Sequence, residues 1–427
     1  MKVLIISHTP ITSYEAMGKT FTSLFGEFKK EELCQFFIHP SLPNVDYCNS
    51  YFRITDKDVL KSYFKFFKVN SREILPCDID TKKKSLFENS SDESFYKNPK
   101  NRGSSRVLLR DLMWKMTRWY TKELDGWVKK EKPDCIFVAP GNAKFIYDVA
   151  IKISKKFNLP IVTYICDENY FVNNINNILD KLRLRLIRQK TRQLMERTSH
   201  IVTICETLTE LYSKEFLKPT TTLMTGSSFV VSEKIHNTNE VKNINFLGNI
   251  ACKRYLSLAD IGETLEKINR EYNKEFLLNV YTGVKNEVML SHLRKIKTIK
   301  LHGHITGEEF SKVFHSSDVL IHTEAFDKES IEMVKNSVST KIADSLASGI
   351  LLFAYGPEQV ASMKHLIDNN CAVTATDKEE LYNGLKTALF DFDYKKEILE
   401  NALKTAEKYH DTQKVSRSLY EICKELS

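Results

Sequence analysis

The side chains best suited to chemistry lie in one stretch, residues 319–349, which reads VLIHTEAFDKESIEMVKNSVSTKIADSLASG. An apolar run carries His322 and Glu324 to the end of a predicted strand, the edge at which α/β sites form. Hydroxyl residues and Lys341 then open a predicted helix, whose first N–H groups and positive end suit a phosphate. Asp344 follows one turn later on the same face and suits ribose hydroxyls. The alternative is a well-capped helix with a local Lys–Asp pair.

A glycine and two basic residues follow another predicted strand. The chain reads NFLGN over 245–249 and continues with ACKR. Gly248 permits close backbone approach, and Arg254 offers a guanidinium fork that matches phosphate oxygens, with Lys253 as the second candidate. The alternative is a solvated basic pair ahead of a helix. The position directly after a strand favours a phosphate contact.

Other polar motifs give no metal site. His302 and His304 form a lone His-x-His string at a strand end, with no carboxylate spaced to complete a metal site. Two D-x-D strings, at 78–80 and 391–393, do not follow core strands. We interpret both strings as surface charge and predict neither a metal nor another cofactor.

Short apolar runs alternate with helical patterns, which is typical of βαβ units and a parallel sheet. The predicted strands lie at 3–7, 34–39, 134–138, 160–166, 201–205, 245–248, 276–282, 299–304, 319–324, 350–355 and 372–376. Predicted helices include 306–315, 341–348, 358–367 and a C-terminal stretch, 395–427, that is helical throughout.

This series predicts two Rossmann-like α/β domains that face a central cleft. The N-terminal domain spans 1–228 and contains a polar insertion near 78–103, and the C-terminal domain spans 241–405. A helix at 406–427 is expected to pack back on the N-terminal domain. No G-x-G-x-x-G or G-x-x-x-x-G-K-[ST] string occurs, so neither a dinucleotide site nor a P-loop is supported.

The composition restricts the function classes. Nine cysteines stand singly, which indicates a reducing compartment and argues against structural disulfides. A net charge of +8 suits an anionic small ligand or membrane surface and falls short of a nucleic-acid-binding signature. No window approaches the roughly 20 apolar residues that cross a bilayer, and the first residues read as a strand rather than a signal peptide. We therefore expect a cytoplasmic protein.

A basic, aromatic stretch at 106–132 contains all three tryptophans, Trp114, Trp119 and Trp127. Such a stretch fits an interfacial helix that contacts an anionic membrane from the inner face. The alternative is that the tryptophans pack on the sheet while the basic residues stay solvated.

The stretch from Glu324 onward resembles the nucleotide-sugar site of glycosyltransferase family 4, whose members have the GT-B fold. A subset of that family carries P-[ST]-K-hydrophobic-x-[ED]-Y-L-A-x-G, and STKIADSLASG at 339–349 is similar to it. The resemblance implies that Asp344 takes the place of the ribose-binding glutamate. Many members have E-x7-E instead, but Asn336 stands eight residues before Asp344 here. Glu324 is then the candidate for the first glutamate, near the donor sugar.

The same resemblance implies a wider set of donor-side residues. They are Gly18, Gly248, Asn249, Lys253, Arg254, His304, Ser339, Thr340, Lys341 and Asp344. On the acceptor side, Asp167 is a candidate base or hydroxyl ligand, or else a turn carboxylate that caps the next helix. Cys166 stands where family members often have a histidine.

The predicted activity is transfer of a sugar from a nucleotide-sugar to an acceptor hydroxyl on a glycan, glycolipid or protein-linked sugar. The resemblance implies retention of configuration without a required metal. One alternative is a nucleotide-sugar 2-epimerase-like enzyme on the same fold. Another is a non-catalytic, degenerate transferase that acts as a binding or partner subunit.

Overall fold

The computed structural model describes residues 1–12, 16–43, 45–63, 69–74, 103–172, 177–231 and 240–427. These residues form two compact units. Unit 1 consists of Met1–Thr225 together with Gln413–Ser427, and unit 2 of Gly226–Thr412. Nearly all of the predicted insertion at 78–103, with its D-x-D string, lies outside the described residues.

Unit 1 is built on an eight-stranded sheet. Its strands are β1 (Val3–Ser7), β2 (Leu33–Phe37), β3 (Ser50–Arg53), β4 (Arg72–Ile74), β5 (Cys135–Val138), β6 (Ile161–Ile165), β7 (Thr198–Thr203) and β8 (Thr220–Thr222). Their order is β4-β3-β2-β1-β5-β6-β7-β8, and only β4 runs antiparallel to its neighbour. Strands β1, β2 and β5 are buried along their whole length, as strands covered on both faces must be.

Helices surround this sheet. Those of unit 1 are α1 (Ala16–Leu24), α2 (Asp56–Ser62), α3 (Ser104–Met116), α4 (Lys122–Glu131), α5 (Lys144–Phe157), α6 (Ile178–Met195), α7 (Glu206–Phe216) and α16 (Thr412–Glu425). Helix α16 returns from unit 2 and packs on unit 1, where the Ser416 hydroxyl donates to the carbonyl of Leu24 over 3.0 Å. The Tyr420 ring meets Phe28 edge-on, with 5.0 Å between centroids.

Unit 2 has a six-stranded, fully parallel sheet. Its strands are β9 (Ile244–Leu247), β10 (Leu278–Tyr281), β11 (Ile299–His302), β12 (Val319–Thr323), β13 (Leu351–Tyr355) and β14 (Val373–Ala375). The order β11-β10-β9-β12-β13-β14 corresponds to 3-2-1-4-5-6 within the unit, the doubly wound arrangement of dinucleotide-binding folds. Every pair is parallel, for example Val319 opposite Leu351.

The helices of unit 2 connect these strands. They are α8 (Arg254–Tyr272), α9 (Glu287–Arg294), α10 (Gly307–His315), α11 (Lys328–Val334), α12 (Thr340–Ala347), α13 (Ala361–Asp368), α14 (Lys378–Phe390) and α15 (Phe392–Tyr409). Apolar positions on β9, β10, β12 and α8 form the main core, with Ile244, Leu258 and Leu278 among its fully buried members.

The prediction of a continuous helix over 395–427 is wrong at His410, where one helix ends before the next begins. Helix α15 ends there because His410 leaves the helical region, at φ −123° and ψ 9°. Its imidazole is buried 3.1 Å from His365 Nε2, and its carbonyl accepts a hydrogen bond from Ser227 N. These contacts fix a break before α16 begins.

Candidate functional site

The strand order of unit 2 determines where its functional groups gather. Strands β9 and β12 lie side by side, and their connections leave toward opposite edges of the sheet. Ligands of such sheets bind outside the carboxyl ends of the two strands at this switch point. Gly248 follows β9 directly, and Glu324 follows β12. The sheet therefore brings together two predicted site residues that lie far apart in sequence.

Glu324 is held at this edge by a two-pronged ion pair. Its Oε2 lies 2.8 Å from Arg254 Nε and its Oε1 lies 3.0 Å from Arg254 Nη2. The glutamate is 2% exposed, and its carbonyl accepts the Ser257 hydroxyl over 2.8 Å. A bidentate guanidinium–carboxylate pair fixes both planes. Glu324 therefore points from the strand end toward the start of α8.

His322 is a neighbour that the sequence placed at the strand end but that we did not assign to the site. Its Nε2 lies 3.6 Å from Glu324 Oε1 and 3.3 Å from the Ser362 hydroxyl. Burial lowers the pKa of His322 to about 4, with Arg254 and Lys341 acting in the same direction and Glu324 against it. The imidazole is therefore neutral at physiological pH, and Glu324 gains no cation from it.

The turn before α8 adopts an uncommon backbone conformation. Cys252 and Lys253 are consecutive non-glycine residues with φ of 52° and 56°. Left-handed conformations of this kind cost L-residues about 1–2 kcal/mol each. The Asn249 side chain accepts from Ala251 N over 2.8 Å and Lys253 Nζ lies 2.8 Å from Asp327 Oδ1, so both side chains stabilise the turn. The turn brings the positive end of the long helix α8 to the site.

Helix α12 brings a second helix start to the same edge. Ser339 caps it, with its hydroxyl accepting from Lys341 N over 3.4 Å, and Thr340 is its first residue. The Lys341 ammonium passes over Gly248, because a Cβ placed on that glycine would lie 3.3 Å from Nζ. Glycine therefore leaves room for the lysine head group above the backbone.

Asp344 lies one turn into α12 and is buried. Its Oδ1 accepts from Ser228 N over 2.8 Å and from the Ser227 hydroxyl over 3.3 Å. The carboxylate thus anchors the first residues of unit 2 to α12.

A cavity of about 380 Å³ opens beside these groups within unit 2. This volume is in the range of small-molecule sites. Behind it the Tyr281 and His302 rings stack with 4.4 Å between centroids. A Cβ on Gly283 would lie 3.3 Å from the His304 ring, so glycine permits this approach. The cavity is lined by Leu247, Gly248, Asn249, Tyr281, Gly283, Val284, His304, Ile305, Phe310 and Lys341.

Two predicted site residues belong to unit 1. Gly18 lies inside α1, where a Cβ would stand 1.7 Å from the Thr12 carbonyl oxygen. A side chain at this position would collide with the backbone, so glycine is required by packing alone. Asp167 follows β6, and its side chain reaches the surface. The protein around the carboxyl group still removes part of its hydration, which raises its pKa. Burial also raises the pKa of the Cys166 thiol beside it.

Unit 1 contains a polar cluster that sequence reasoning missed. Arg110 donates from Nε to Asp56 Oδ1 over 2.9 Å, and its Nη2 lies 3.2 Å from His8 Nε2. Trp114 donates to the same aspartate over 2.8 Å. Burial, assisted by Arg110, lowers the pKa of His8 to about 3. The only sequence signal was a histidine directly after the first strand, and its partners lie 48 and 102 positions away.

Two of the three tryptophans of 106–132, Trp114 and Trp127, pack inside unit 1, and Trp119 is partly buried. The Trp114 ring stacks on Phe145 with 4.3 Å between centroids, and Trp127 donates to the Ser50 hydroxyl over 3.0 Å. Both Trp114 and Trp127 are buried.

In the second D-x-D string, at 391–393, Asp391 caps α15 by accepting from Tyr394 N over 3.0 Å. Over the described ranges, no helix combines the length and apolar character that a bilayer crossing requires.

Comparison with solved structures identifies proteins that share the fold of this chain. No family model and no curated protein matches the sequence. Among solved structures, HepE of Anabaena in complex with UDP superposes with a TM-score of 0.64 at 10% identity, over 100% of both chains. Sucrose-phosphate synthase from Thermosynechococcus elongatus gives 0.62 at 9% identity, over 100% of this chain and 99% of the other.

A third similar structure is WaaG, a glycosyltransferase involved in lipopolysaccharide biosynthesis, with a TM-score of 0.55 at 13% identity over 98% and 99% of the two chains. These likenesses, together with two parallel-sheet α/β units, confirm the predicted fold class as GT-B.

Proposed function

We propose that this chain is a glycosyltransferase that moves a sugar from a nucleotide-sugar donor to an acceptor hydroxyl. The observation that carries the proposal is the Arg254–Glu324 pair at the switch point of unit 2, with the starts of α8 and α12 beside it. HepE, which has the same fold, is described with UDP and with UDP-glucose bound, which supports a nucleotide-sugar ligand. The motif at 339–349 supports membership of the family 4 subset.

The proposed orientation of the donor follows from the charged and polar groups at the carboxyl ends of the unit 2 strands. The base lies in the cavity beside His304, and the ribose meets Asp344. The diphosphate lies against the start of α12 and the Lys341 ammonium, where N–H groups and a positive helix end stabilise an anion. Lys253 and Arg254 add positive charge on the other side. Glu324, fixed by Arg254, accepts hydrogen bonds from hydroxyls of the donor sugar.

In the proposed reaction a bond forms between the acceptor oxygen and the anomeric carbon while the bond from that carbon to the diphosphate oxygen breaks. The bonding pair leaves with the diphosphate, and the cations around it stabilise the growing charge. The acceptor proton passes to a carboxylate, for which Asp167 is the candidate, since a raised pKa suits a base. Retention is part of the proposal and requires the acceptor oxygen to attack on the face from which the diphosphate leaves. Independence of metal is also proposed, and turnover that survives a chelator would support it.

The acceptor is proposed to be a glycan, glycolipid or protein-linked sugar bound by unit 1. Contact with an anionic membrane and a cytoplasmic location remain predictions at this point.

The first experiment is a thermal-shift screen of UDP-, GDP- and dTDP-sugars, followed by an assay of nucleotide release with and without acceptors. A ligand at about 100 times its Kd adds roughly 2.7 kcal/mol to the stability of the folded protein. Release that needs an acceptor hydroxyl supports a transferase. Conversion of the donor without an acceptor supports the 2-epimerase-like alternative, and binding without turnover supports a non-catalytic subunit.

The second experiment tests the site by substitution. Arg254→Ala alone would leave Glu324 buried without a counter-charge, at a cost of about 3–5 kcal/mol. The double variant Arg254→Met with Glu324→Gln removes both charges at similar volume, so it is expected to fold and to lose at least about a hundredfold in turnover. Arg270→Ala, at the exposed end of α8, is the control. Wild-type turnover in the double variant would refute the assignment.

A further inference from the structure

Two helices of unit 1 expose an unusual share of apolar surface. On α3, Leu109, Leu112 and Met116 are each more than half exposed. Their spacing of three and four residues places them on one face of the helix. On α6, Ile178 is 81% exposed and Leu182 47%, again one turn apart. Helices α3 and α6 pack against each other, so both stripes belong to one region of unit 1.

The same two helices carry most of the net charge of the protein. Together they contain nine basic residues and two acidic ones, against a net charge of +8 for the whole chain. One of the two acidic side chains, Asp111, is buried. The surface is therefore apolar and strongly positive at once.

The basic residues divide into an inner and an outer group. Arg110 pairs with Asp56, Lys190 with Asp148, and both pairs join the helices to the body of unit 1. Lys115, Lys181 and Arg185 are exposed and have no ion-pair partner within the described part of the chain. These outer cations are available for anions in solution or on a surface.

We propose that the outer face of α3 and α6, defined by Leu109, Leu112, Met116, Ile178 and Leu182 with the outer basic residues, docks on an anionic lipid bilayer. Apolar side chains flanked by Lys and Arg are the signature of a helix that lies in a membrane interface. The proposed surface takes from the 106–132 stretch only the exposed residues of α3, not the buried Trp114 and Trp127, and adds the exposed face of α6. It does not rest on the proposed transfer reaction, because donor binding belongs to unit 2.

The positive charge of this face favours an anionic bilayer as its partner rather than a second copy of this chain. A symmetric contact of this face with itself would bring like charges together, which is unfavourable. A bilayer with anionic headgroups instead places phosphates over the outer cations and acyl chains against the apolar stripes. Each basic residue near such a leaflet contributes a factor of roughly five in partitioning.

The test is vesicle flotation of the full-length protein, with phosphatidylcholine alone and with phosphatidylcholine mixed with phosphatidylglycerol. We expect binding to the mixed vesicles, weakened by salt, and little to the neutral ones. Lys181→Glu with Arg185→Glu, and Leu109→Ser with Leu112→Ser, are each expected to lower partitioning roughly tenfold or more. Thermal unfolding and the donor thermal shift should stay at wild-type values, which keeps this test separate from that of the donor site.

Matched controls change the same chemistry elsewhere. Leu217→Ser with Val288→Ser removes apolar side chains that are more exposed than Leu109 and Leu112, and Lys274→Glu with Lys404→Glu reverses two exposed charges off this face. The proposal is overturned if the wild type ignores mixed vesicles or if the controls weaken binding as much as the variants. It is also overturned if the wild type is a dimer that Leu109→Ser with Leu112→Ser dissociates, or if the charge variants abolish binding of nucleic acid and not of vesicles.

Discussion

Glu324 is held on one side by Arg254 and on another by the bare backbone of Gly356. A Cβ on Gly356 would lie 3.0 Å from Glu324 Cβ and 3.2 Å from Glu324 N. We expect Gly356→Ala to displace Glu324 by a few tenths of an ångström, because strand β13 ends there and gives little room. Since small misplacements of a positioning group are costly, turnover should fall about tenfold or more at saturating donor.

The control for this change is Gly126→Ala in α4. A Cβ there meets nothing within 4 Å, and the residue lies in a helix. We expect unchanged turnover and a gain in stability of about 0.5–1 kcal/mol. If Gly356→Ala keeps wild-type kcat for sugar transfer, Glu324 does not depend on this contact and its assigned role loses support.

At the residue scale, the sequence could predict positions but not partners. The position of Glu324 after a buried strand and of Arg254 after a glycine turn follows from local pattern. Their pairing does not, because 70 residues separate them and only the strand order β9-β12 makes them neighbours. His8 and Arg110 were missed for the same reason.

Helix α15 of unit 2 has a buried ammonium group in its first turn. Lys395 lies in the first turn of α15, is 1% exposed, and its Nζ has no hydrogen-bond partner among the described residues. An unsatisfied buried polar group costs about 1–3 kcal/mol, more when charged. We therefore expect Lys395→Met to raise the free energy of unfolding by about 1 kcal/mol or more, measured by denaturant titration.

The pH dependence of this effect has a defined sign. Burial lowers the pKa of Lys395 in the folded protein, with Asp318 opposing the shift. Between the folded value and the unfolded value of about 10.4, the unfolded chain binds more protons, so stability rises with pH. Relative to Lys395→Met, the wild type should recover stability as pH rises through that window. The exposed neighbour variant Lys396→Met should be neutral, and equal effects at both positions would contradict the account.

Elements were predictable where a buried apolar run marks them. Strands β12 and β13 were expected at 319–324 and 350–355 and lie at Val319–Thr323 and Leu351–Tyr355. Strands β3, β4 and β8 were missed. Two of them, β4 and β8, are three-residue strands at the sheet edges, with charged or threonine residues and little burial. Their pairing depends on a neighbour already being in place, which local pattern does not contain.

The whole molecule combines two units of the same architecture. The sequence predicted both from alternation of strands and helices, because that pattern reflects local burial. It also predicted a helix at 406–427 that packs back on the N-terminal domain, and unit 1 includes Gln413–Ser427. It did not predict the break between α15 and α16, where His410 is held by contacts distant in sequence. Long-range packing of this kind has no signature in a single segment.

The division into units gives a prediction for the unfolding of the full chain. All proposed donor contacts except Gly18 belong to unit 2, so a bound nucleotide should stabilise that unit alone. In calorimetry we expect two transitions and, with UDP at about 100 times its Kd, a shift of one of them by roughly 5–10 °C. Lys341→Ala should reduce the shift by weakening diphosphate binding, whereas Lys364→Ala, on the exposed side of α13, should leave it intact. Equal movement of both transitions, or a single transition, would show that the units do not respond separately and would contradict this prediction.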